Sequence, residues 1–433
     1  MLDEIVSKIK EHQVNYLHFR FIDNAGIIRT KIVIGPDFKT ALTEGINFSK
    51  AIMSFTSLDE FIDNASYRSV DGDFLAIPDL NTFRVSSYQA HTAYVFCYLV
   101  ELDGTPFVNC HRSLLTKLIE NIETICGGRV KAAFEPEFMV LESETSGPVK
   151  QAQLFSVQRV EQYQPFLKDV IESAQKMGLP VSQFSSEASP QQFEINLSVQ
   201  PLLQACDDWL IFRELVKVIG ARHNYIATFL PKPLNGVPGN GLHLHLGFSK
   251  NGSNLFFENN SKKHYLSKVA YNFLGGLIAH GQAIIALGSA SVNSYKRFVK
   301  DNWAPLHINW GLGNRSSFIR IPESIDNRHL EIRSGDATCS PYLWASGILA
   351  AGLLGIKHED SPGRPCNTDG FSGEYPSLPS NLGQALDVLK ADVQLRSLLG
   401  EALTFEYSSV KQAEWEAYLK TVTDWDKQFY TLF

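Results

Sequence analysis

Charged and apolar residues alternate in the segment Leu330-Glu331-Ile332-Arg333. In a β-strand, residues two apart share a face, so Glu331 and Arg333 would point to one side, away from Leu330 and Ile332. Proteins rarely bury charged side chains unless those side chains are paired, bound to metal or facing a ligand. If this strand is buried, we expect a cation beside Glu331 and an anion beside Arg333.

Two other segments that we predict to be strands repeat this period of two. Residues 130–141 would place Glu135 and Glu137 on one face, and residues 239–246 would do the same for His243 and His245. For any one such pair, the solvent-exposed face of an amphipathic strand is an ordinary explanation. The same alternation in three separate predicted strands favours one site to which all of them contribute side chains.

A further pair of carboxylates lies in residues 181–197. Glu187 is predicted at the end of one strand and Glu194 within the next, with a turn containing Ser189 and Pro190 between them. This turn would bring Glu194 back beside Glu187. If all of these strands are neighbours in one sheet, five carboxylates and two imidazoles converge.

Carboxylates packed this closely do not all remain ionised without cations. Ligation that is rich in oxygen and free of thiolates favours Mg²⁺ or Mn²⁺ over a closed zinc site. Such ions, with nearby arginines, are the usual groups of phosphoryl transfer. Arg315 and Arg320 are candidates for neutralising the transferred phosphoryl group, with a surface salt bridge as the alternative for each. The sequence contains no Walker-type Gly-x-x-x-x-Gly-Lys loop, so a nucleotide would be held in another way.

Length and composition are typical of a globular protein of two domains. The chain has 433 residues, 44% of them hydrophobic and 20% charged, with a net charge of -7. The charge gives no reason to expect nucleic acid as a partner. Six scattered cysteines favour free thiols in a reducing compartment, and the apolar residues 343–356 are too few to span a membrane. We therefore expect a cytoplasmic protein without membrane contact.

Patterns along the chain predict a small mixed domain followed by a larger one. In the first hundred residues, strand-like runs at 16–23 and 27–34 flank Asn24-Ala25-Gly26, which is typical of a hairpin. Beyond that, predicted strands alternate with helices at 114–124, 164–177, 202–225, 264–287 and 342–356.

Several separated motifs, in the order of the family, resemble the glutamine synthetase superfamily of carboxylate–amine ligases. They are Glu135-Pro136-Glu137-Phe138, the segment from Glu187 to Glu194, Gly239-Asn240-Gly241-Leu242-His243-Leu244-His245, Ser294-Tyr295-Lys296-Arg297, Asn314-Arg315-Ser316 with Arg320-Ile321-Pro322, Glu331-Ile332-Arg333 and Ser340-Pro341-Tyr342. The resemblance covers nearly the whole chain.

The resemblance implies an α+β fold, with a β-grasp-like domain in residues 1–105 and a catalytic domain with a curved antiparallel sheet in residues 106–433. It implies ATP as co-substrate and two or three Mg²⁺ or Mn²⁺ ions per site. Other members assemble as rings, dodecamers or similar, in which the N-terminal domain of one copy completes the site of its neighbour. We therefore expect a homo-oligomer acting on glutamate, ATP and an amine.

The resemblance also implies a role for each matching residue. One metal site would consist of Glu137, Glu187 and Glu194, and the other of Glu135, His243 and Glu331. His245 would approach the phosphates of ATP, together with Arg315 and Arg320. The carboxylates of glutamate would bind to Arg297 and Arg333, and its amino group would lie near Gly239.

The sequence departs from the family where ammonium would bind. Ammonia-using members carry an acid in an N-terminal Asp-Gly-Ser-Ser motif, but here Ser49 stands in its place, and a flap acid of the family is replaced by Trp303. Asp73 is left as a possible third acid. Loss of two carboxylates weakens the attraction for NH₄⁺, and Trp303 adds apolar area and a cation–π face.

We therefore expect ligation of the γ-carboxyl of glutamate to an organic amine through a γ-glutamyl phosphate. The alternatives are an ammonia-using glutamine synthetase, a catalytically silent binding protein and an acid substrate other than glutamate. A further alternative is that Trp303 only packs against neighbouring side chains and does not contact the amine. A further departure is Gln191, which stands where the family usually has glycine beside the metal-binding segment.

Overall fold

Two β-sheets, one from each end of the chain, carry the residues singled out above. The structure is a computed structural model that describes residues 1–142, 153–300, 302–371 and 374–432. Helices and strands are mixed and the larger sheet is curled, so the predicted α+β class is confirmed. The proposed boundary at residue 105 stays a prediction, although the strands of the first sheet all precede it and those of the second all follow it.

The first sheet contains six strands among the described residues. They are β1 (Tyr16–Ile22), β2 (Ile28–Ile34), β3 (Ile46–Ser49), β4 (Asp73–Pro78), β5 (Arg84–Val85) and β6 (Thr92–Val100). The main order is β2-β1-β6-β4-β3, with β5 paired to β6. The predicted hairpin is present, because β1 and β2 pair in antiparallel register and the Ile27 amide donates 2.9 Å to the Asp23 carboxylate in the turn.

The second sheet contains ten strands among the described residues. They are β7 (Arg129–Glu142), β8 (Val181–Ser186), β9 (Gln192–Leu197), β10 (Gln200–Pro201), β11 (Tyr225–Thr228), β12 (Leu242–Lys250), β13 (Ser253–Asn254), β14 (Trp310–Leu312), β15 (Ile319–Ile321) and β16 (Leu330–Ile332). The order is β14-β15-β16-β12-β7-β9-β8, with β10 and β11 paired to β7 and β13 to β12. All four segments with the predicted carboxylates and imidazoles therefore lie side by side, as β16, β12, β7 and the pair β9 and β8.

The helices pack against the sheets and against one another. They are α1 (Leu2–Glu11), α2 (Phe38–Glu44), α3 (His111–Cys126), α4 (Val157–Gln162), α5 (Gln164–Lys176), α6 (Leu202–Arg222), α7 (Lys268–Ala279), α8 (Gly281–Gly288), α9 (Pro341–His358), α10 (Leu382–Ala391), α11 (Val393–Leu399), α12 (Glu401–Lys420) and α13 (Asp424–Tyr430). Helices such as α3, α5 and α6 pack against the sheets, and others such as α7, α10 and α11 pack on neighbouring helices. Phe134 of β7 illustrates the core, since its ring lies 6.4 Å from Trp209 of α6 and 6.5 Å from Trp344 of α9. Burial of the apolar face leaves the polar face of the sheet open to a cavity.

The helical segment predicted at residues 264–287 is two helices rather than one. α7 and α8 meet at His280 with a bend of 77°. At the bend, His280 Nδ1 lies 2.7 Å from the Asp392 carboxylate. No single helix in the described ranges is long and apolar enough to cross a membrane, and α7 and α8 meet those criteria only as a bent pair.

Buried polar side chains join the first sheet to the second. The ring of His111, at the start of α3, lies 2.8 Å from Asn24 Oδ1 in the β1–β2 turn and 3.0 Å from Ser340 Oγ at the start of α9. Arg112 donates to Asp79 after β4 and to Asp207 of α6. These contacts fix how the N-terminal sheet sits on the catalytic region.

Candidate active site

A cavity of about 450 Å³ lies over the polar face of the second sheet. Its walls include nine of the residues predicted from the sequence, namely Glu135, Glu137, Glu187, Glu194, His243, Trp303, Arg315, Arg320 and Arg333. A neighbouring cavity of about 600 Å³ shares Glu135 and contains His245. Residues more than a hundred positions apart in sequence thus meet at one place.

Strand register explains why the carboxylates and imidazoles converge. Across the sheet, His243 faces Glu135, Glu137 faces Glu194, and His245 faces Glu331. Facing residues on neighbouring strands lie about 5 Å apart between Cβ atoms. Since each of these residues alternates with buried apolar neighbours, all of the polar side chains emerge on one face.

Two groups of side chains have the spacing of cation ligands. Ligand atoms of Glu135, Glu194 and His243 lie within 4.8 Å of one another, and so do those of Glu135, His245 and Glu331. His243 Nδ1 is 3.6 Å from Glu135 and 3.5 Å from Glu331, and His245 Nε2 is 3.2 Å from Glu135. Glu194 also faces Glu137 across the sheet, and the two ligand sets that the resemblance implies stay a prediction.

The pKa values of the cavity glutamates are shifted in different directions. Burial and the charge of Glu137 raise the pKa of Glu187 to about 7. Burial, and then the charges of Glu135 and Glu137, raise the pKa of Glu194 to about 9. Burial works in the same direction at Glu135, but hydrogen bonds from His243 and His245 outweigh it and hold that pKa well below its usual range.

Glu331 is held between two guanidinium groups. It is fully buried, Arg320 Nη1 donates 2.7 Å to Oε2, and Arg333 Nη1 donates to Oε1. Burial alone would raise the pKa of Glu331, but the charge of Arg333 and those of the two histidines lower it. The sequence predicted a cation beside Glu331, and the structure places two there, Arg320 and Arg333.

Hydrogen-bonding residues that were not singled out as site residues orient the glutamates. Gln192 Nε2 donates 3.0 Å to Glu137, and it also lies 3.0 Å from the Gly239 carbonyl. Asn196 Nδ2 donates 2.9 Å to Glu135, and the Gly241 amide donates 2.8 Å to Glu137. Strand alternation could have identified Gln192 and Asn196 from the sequence, since residues 192, 194 and 196 share one face of β9.

Arg297 and Gly239 lie behind the cavity wall rather than on it. Arg297 is buried, and its Nη2 donates 3.0 Å to each of the carbonyls of Ser334 and Gly335. A Cβ on Gly239 would lie 2.0 Å from the Pro231 carbonyl oxygen, so only glycine fits there. The predicted contacts of these two residues with glutamate stay a prediction.

Ser49 and Asp73 face each other across β3 and β4 in the first sheet. Neither residue lines the cavity formed by its own chain. Ser49 is exposed and Asp73 is half-buried, so both are accessible from outside. Their positions suit contact with a neighbouring copy, which is what the resemblance implies.

Two of the departures from the family have unusual backbone conformations. Trp303 has φ +59° and Gln191 has φ +56°, values in the left-handed region where glycine is favoured. The Gln191 carbonyl accepts a 2.9 Å hydrogen bond from the Val140 amide. The backbone amide of Gln192 closes the turn by donating a hydrogen bond to the Ser189 carbonyl. The turn beside the metal-binding segment therefore forms with glutamine in the place of glycine.

The donor set fits hard divalent ions. The groups consist of carboxylate oxygens and imidazole nitrogens, without a thiolate, and at Glu187 and Glu194 burial, and then the charge of neighbouring carboxylates, raises the pKa. Mutual repulsion of this kind is what a bound divalent cation relieves. Five of the predicted ligands, Glu135, Glu137, Glu187, Glu194 and His243, line the cavity. The sixth, Glu331, is fully buried beside His243, and both of its carboxylate oxygens accept hydrogen bonds from arginines.

Comparisons with known proteins identify the same family as the sequence motifs. The family model for the glutamine synthetase catalytic domain matches residues 108–430. The chain is 33% identical to glutamate–methylamine ligase of Methyloversatilis universalis over 450 residues, with 98% of each chain covered. It is 31% identical to a glutamine synthetase of Thermotoga maritima, with 99% of each covered.

Solved structures agree with the sequence comparisons. A structure of GmaS in complex with ADP matches with a TM-score of 0.88 and 29% identity over 99% of each chain, and GmaS without ligand matches with a TM-score of 0.87 and 30% identity over 98% of each. Ligases of this family use ATP and divalent metals and act on small molecules. The chain belongs to the glutamine synthetase family and is an ATP-dependent carboxylate–amine ligase.

Proposed function

We propose that this enzyme joins the γ-carboxyl group of glutamate to an organic amine at the expense of ATP. The observation that carries the proposal is Trp303, which lines the cavity beside the carboxylates at the place where the sequence lacks a family acid. The similarity to a glutamate–methylamine ligase supports an amine over ammonia.

The reaction has two balanced steps in this proposal. First, an oxygen of the γ-carboxylate attacks the γ-phosphorus of ATP, a P–O bond forms, and ADP leaves. Second, the amine nitrogen attacks the activated carbonyl carbon, a C–N bond forms, phosphate leaves, and the amine gives up a proton. Asp73 of a neighbouring copy is the candidate acceptor for that proton.

Some cavity residues would neutralise the phosphoryl group, and others would bind and orient the substrates. Arg315 and Arg320 line the cavity and neutralise charge that develops on the transferred phosphoryl group. Arg333, on the cavity wall, and Arg297, just behind it, would hold the carboxylates of glutamate, with Gly239 near its amino group. His245 would approach the phosphates from the neighbouring cavity.

Mg²⁺ or Mn²⁺ would be held by the six side chains named above, two or three ions per site. Bound there, such ions would neutralise the carboxylates and stabilise charge on phosphate oxygens. Gln192 and Asn196 orient two of those carboxylates by direct hydrogen bonds, which fixes the ligand geometry before binding.

We further propose a homo-oligomeric ring, a dodecamer or similar. The support is that neither Ser49 nor Asp73 lines the cavity of its own chain. In a ring, the first sheet of one copy would cover the cavity of the next. Mass photometry of the purified enzyme tests the assembly, and a monomer with full activity would contradict it.

An ammonia-using glutamine synthetase is the second candidate, because several relatives carry that name, including the one from Thermotoga maritima. The two candidates differ in the product. Purified enzyme with glutamate, ATP and Mn²⁺ is incubated separately with ammonium and with a panel of primary amines, and the products are identified by mass spectrometry. We expect γ-glutamylamides of organic amines, whereas glutamine as the main product would support the second candidate.

A further inference from the structure

Four large apolar side chains line the same cavity as the carboxylates and are left exposed to it. They are Leu154, Phe155, Phe184 and Trp303, with exposed fractions of 41%, 65%, 39% and 53%. Only Trp303 was expected from the sequence. We call these four residues the apolar collar.

Exposed aromatic rings at the wall of a charged cavity are costly to leave in water, since burial of each would remove a large apolar area from solvent. In the catalytic region Trp209, Trp310 and Trp344 are fully buried, whereas single rings such as Phe405 are exposed outside the cavity. The apolar collar is therefore marked by four exposed side chains at one cavity and not by exposure alone. Exposed apolar side chains that share a cavity with convergent polar groups are typical of a ligand site.

Backbone geometry shows that two members of the apolar collar are held in place. Phe155 and Trp303 have φ +57° and +59°, a conformation that bulky residues adopt rarely. Each is anchored next to the site, since the Phe155 amide donates 3.0 Å to the Ser186 carbonyl and the Trp303 carbonyl accepts 3.1 Å from Arg333. Unfavourable conformations of this kind persist where surrounding contacts determine them, and they cluster at ligand sites.

The charge distribution around the apolar collar suits one kind of occupant. Ser186 directly precedes Glu187, so the anchor of Phe155 lies one residue from a cavity carboxylate. A molecule with a cationic head and a hydrocarbon tail would satisfy both surfaces, with its nitrogen toward the carboxylate-lined part of the cavity and its tail against the rings. The rings add a cation–π contribution to the head group.

We propose that the apolar collar binds the hydrocarbon substituent of the amine, and that the preferred nucleophile is a primary amine with an alkyl or aromatic group larger than methyl. This inference rests on the proposed glutamate–amine ligation and names its substrate class. Leu154, Phe155 and Phe184 thereby become specificity-determining residues in addition to Trp303.

The test measures kcat/KM for methylamine, propylamine, butylamine, hexylamine and benzylamine with saturating glutamate and ATP. We expect kcat/KM to rise about 3–4-fold for each methylene that the rings cover. Phe155→Ala and Phe184→Ala should flatten this dependence, and Phe155→Leu should restore part of it. Phe405→Ala, at an exposed ring on α12 outside the cavity, is the matched control and should keep the full dependence.

Each outcome has a distinct meaning. A preference for methylamine over every longer amine would overturn the apolar collar as the substrate site while leaving glutamate–amine ligation intact. Alanine variants that change the assembly state but leave the dependence on chain length unchanged would also overturn it, because the rings would then contact another subunit. Absence of amide product with every amine would instead refute the proposed function itself. Circular dichroism and Tm identify variants that fail to fold, and Phe155→Leu then carries the comparison.

Discussion

Arg333 donates a hydrogen bond of 3.1 Å to the main-chain carbonyl of Trp303. The same guanidinium group also donates to the buried Glu331 through its other terminal nitrogen. One side chain therefore ties the segment that carries Trp303 to strand β16. A planar guanidinium makes two such bonds in fixed directions, which an ammonium group does not reproduce.

Arg333→Lys should uncouple the two contacts. We expect amide formation to fall by roughly 100-fold, as is typical when one positioned donor is lost from a catalytic site. The chain near Trp303 should also become more sensitive to limited proteolysis, because its carbonyl loses an anchor. Steady-state kinetics and peptide mapping measure both effects. Arg129→Lys, at an exposed pair with Glu123, is the control and should change neither.

Glu194→Gln should remove a cation ligand. A divalent ion at about 100 times its Kd stabilises a protein by about 2.7 kcal/mol. We expect the variant to lose most of the rise in Tm that Mn²⁺ causes in the parent enzyme at pH 7.5. Differential scanning calorimetry with and without Mn²⁺ measures this. An unchanged Mn²⁺ effect would mean that Glu194 is not a ligand.

The stabilisation by Mg²⁺ should grow as the pH rises from 6 to 9. In the metal-free fold, burial and neighbouring carboxylates raise the pKa of Glu187 to about 7 and of Glu194 to about 9, above the usual value near 4.5. Between about pH 4.5 and 9 the native state thus holds more protons than the unfolded chain, so stability without metal falls as the pH rises.

Mg²⁺ must displace those protons to bind, so its affinity should increase with pH by up to about tenfold per unit for each proton released. Isothermal titration calorimetry in two buffers of different ionisation enthalpy measures the released protons directly. Proton release near zero at pH 7 would contradict the raised pKa values.

His111 should make the enzyme sensitive to acid. Burial, and then the charge of Lys411, lowers the pKa of His111 to about 3, whereas the unfolded chain binds this proton near pH 6.5. Below pH 6.5 the unfolded state therefore holds more protons, and stability falls as the pH drops toward 3, by up to about 1.4 kcal/mol per pH unit.

The variant His111→Gln should lose part of this dependence between pH 6.5 and 4.5, because the group that titrates in the unfolded chain is gone. Urea unfolding at several pH values measures it. His12→Gln, at an exposed position, is the control and should leave the dependence as in the parent. If both variants behave like the parent, His111 is not the group responsible.

The predictions from sequence were best where a local period determines the structure. Alternation alone predicted that Glu135 and Glu137, and likewise His243 and His245, lie on one face of a strand, because side chains in a strand alternate strictly. The turn between Glu187 and Glu194 was equally local. The adjacency of the strands came from the resemblance and from convergence of unusual residues, since pairing partners such as His245 and Glu331 are distant in sequence.

Other features depend on tertiary packing and were not predicted. The bend between α7 and α8 at His280 forms where Asp392, more than a hundred residues away, meets its ring. Phe155 and Phe184 carry no period that marks them as cavity residues. The division of the carboxylates between two metal sites stays a prediction, since Glu194 lies near Glu135 and also faces Glu137 across β7 and β9.

The central claim is that the nucleophile is an organic amine rather than ammonia, and a competition experiment tests it most directly. The enzyme is given glutamate, ATP and Mn²⁺ with equal concentrations of ammonium and butylamine, and the ratio of the two products is measured by mass spectrometry at early times. The account predicts γ-glutamylbutylamide in excess over glutamine. Glutamine in excess would contradict it.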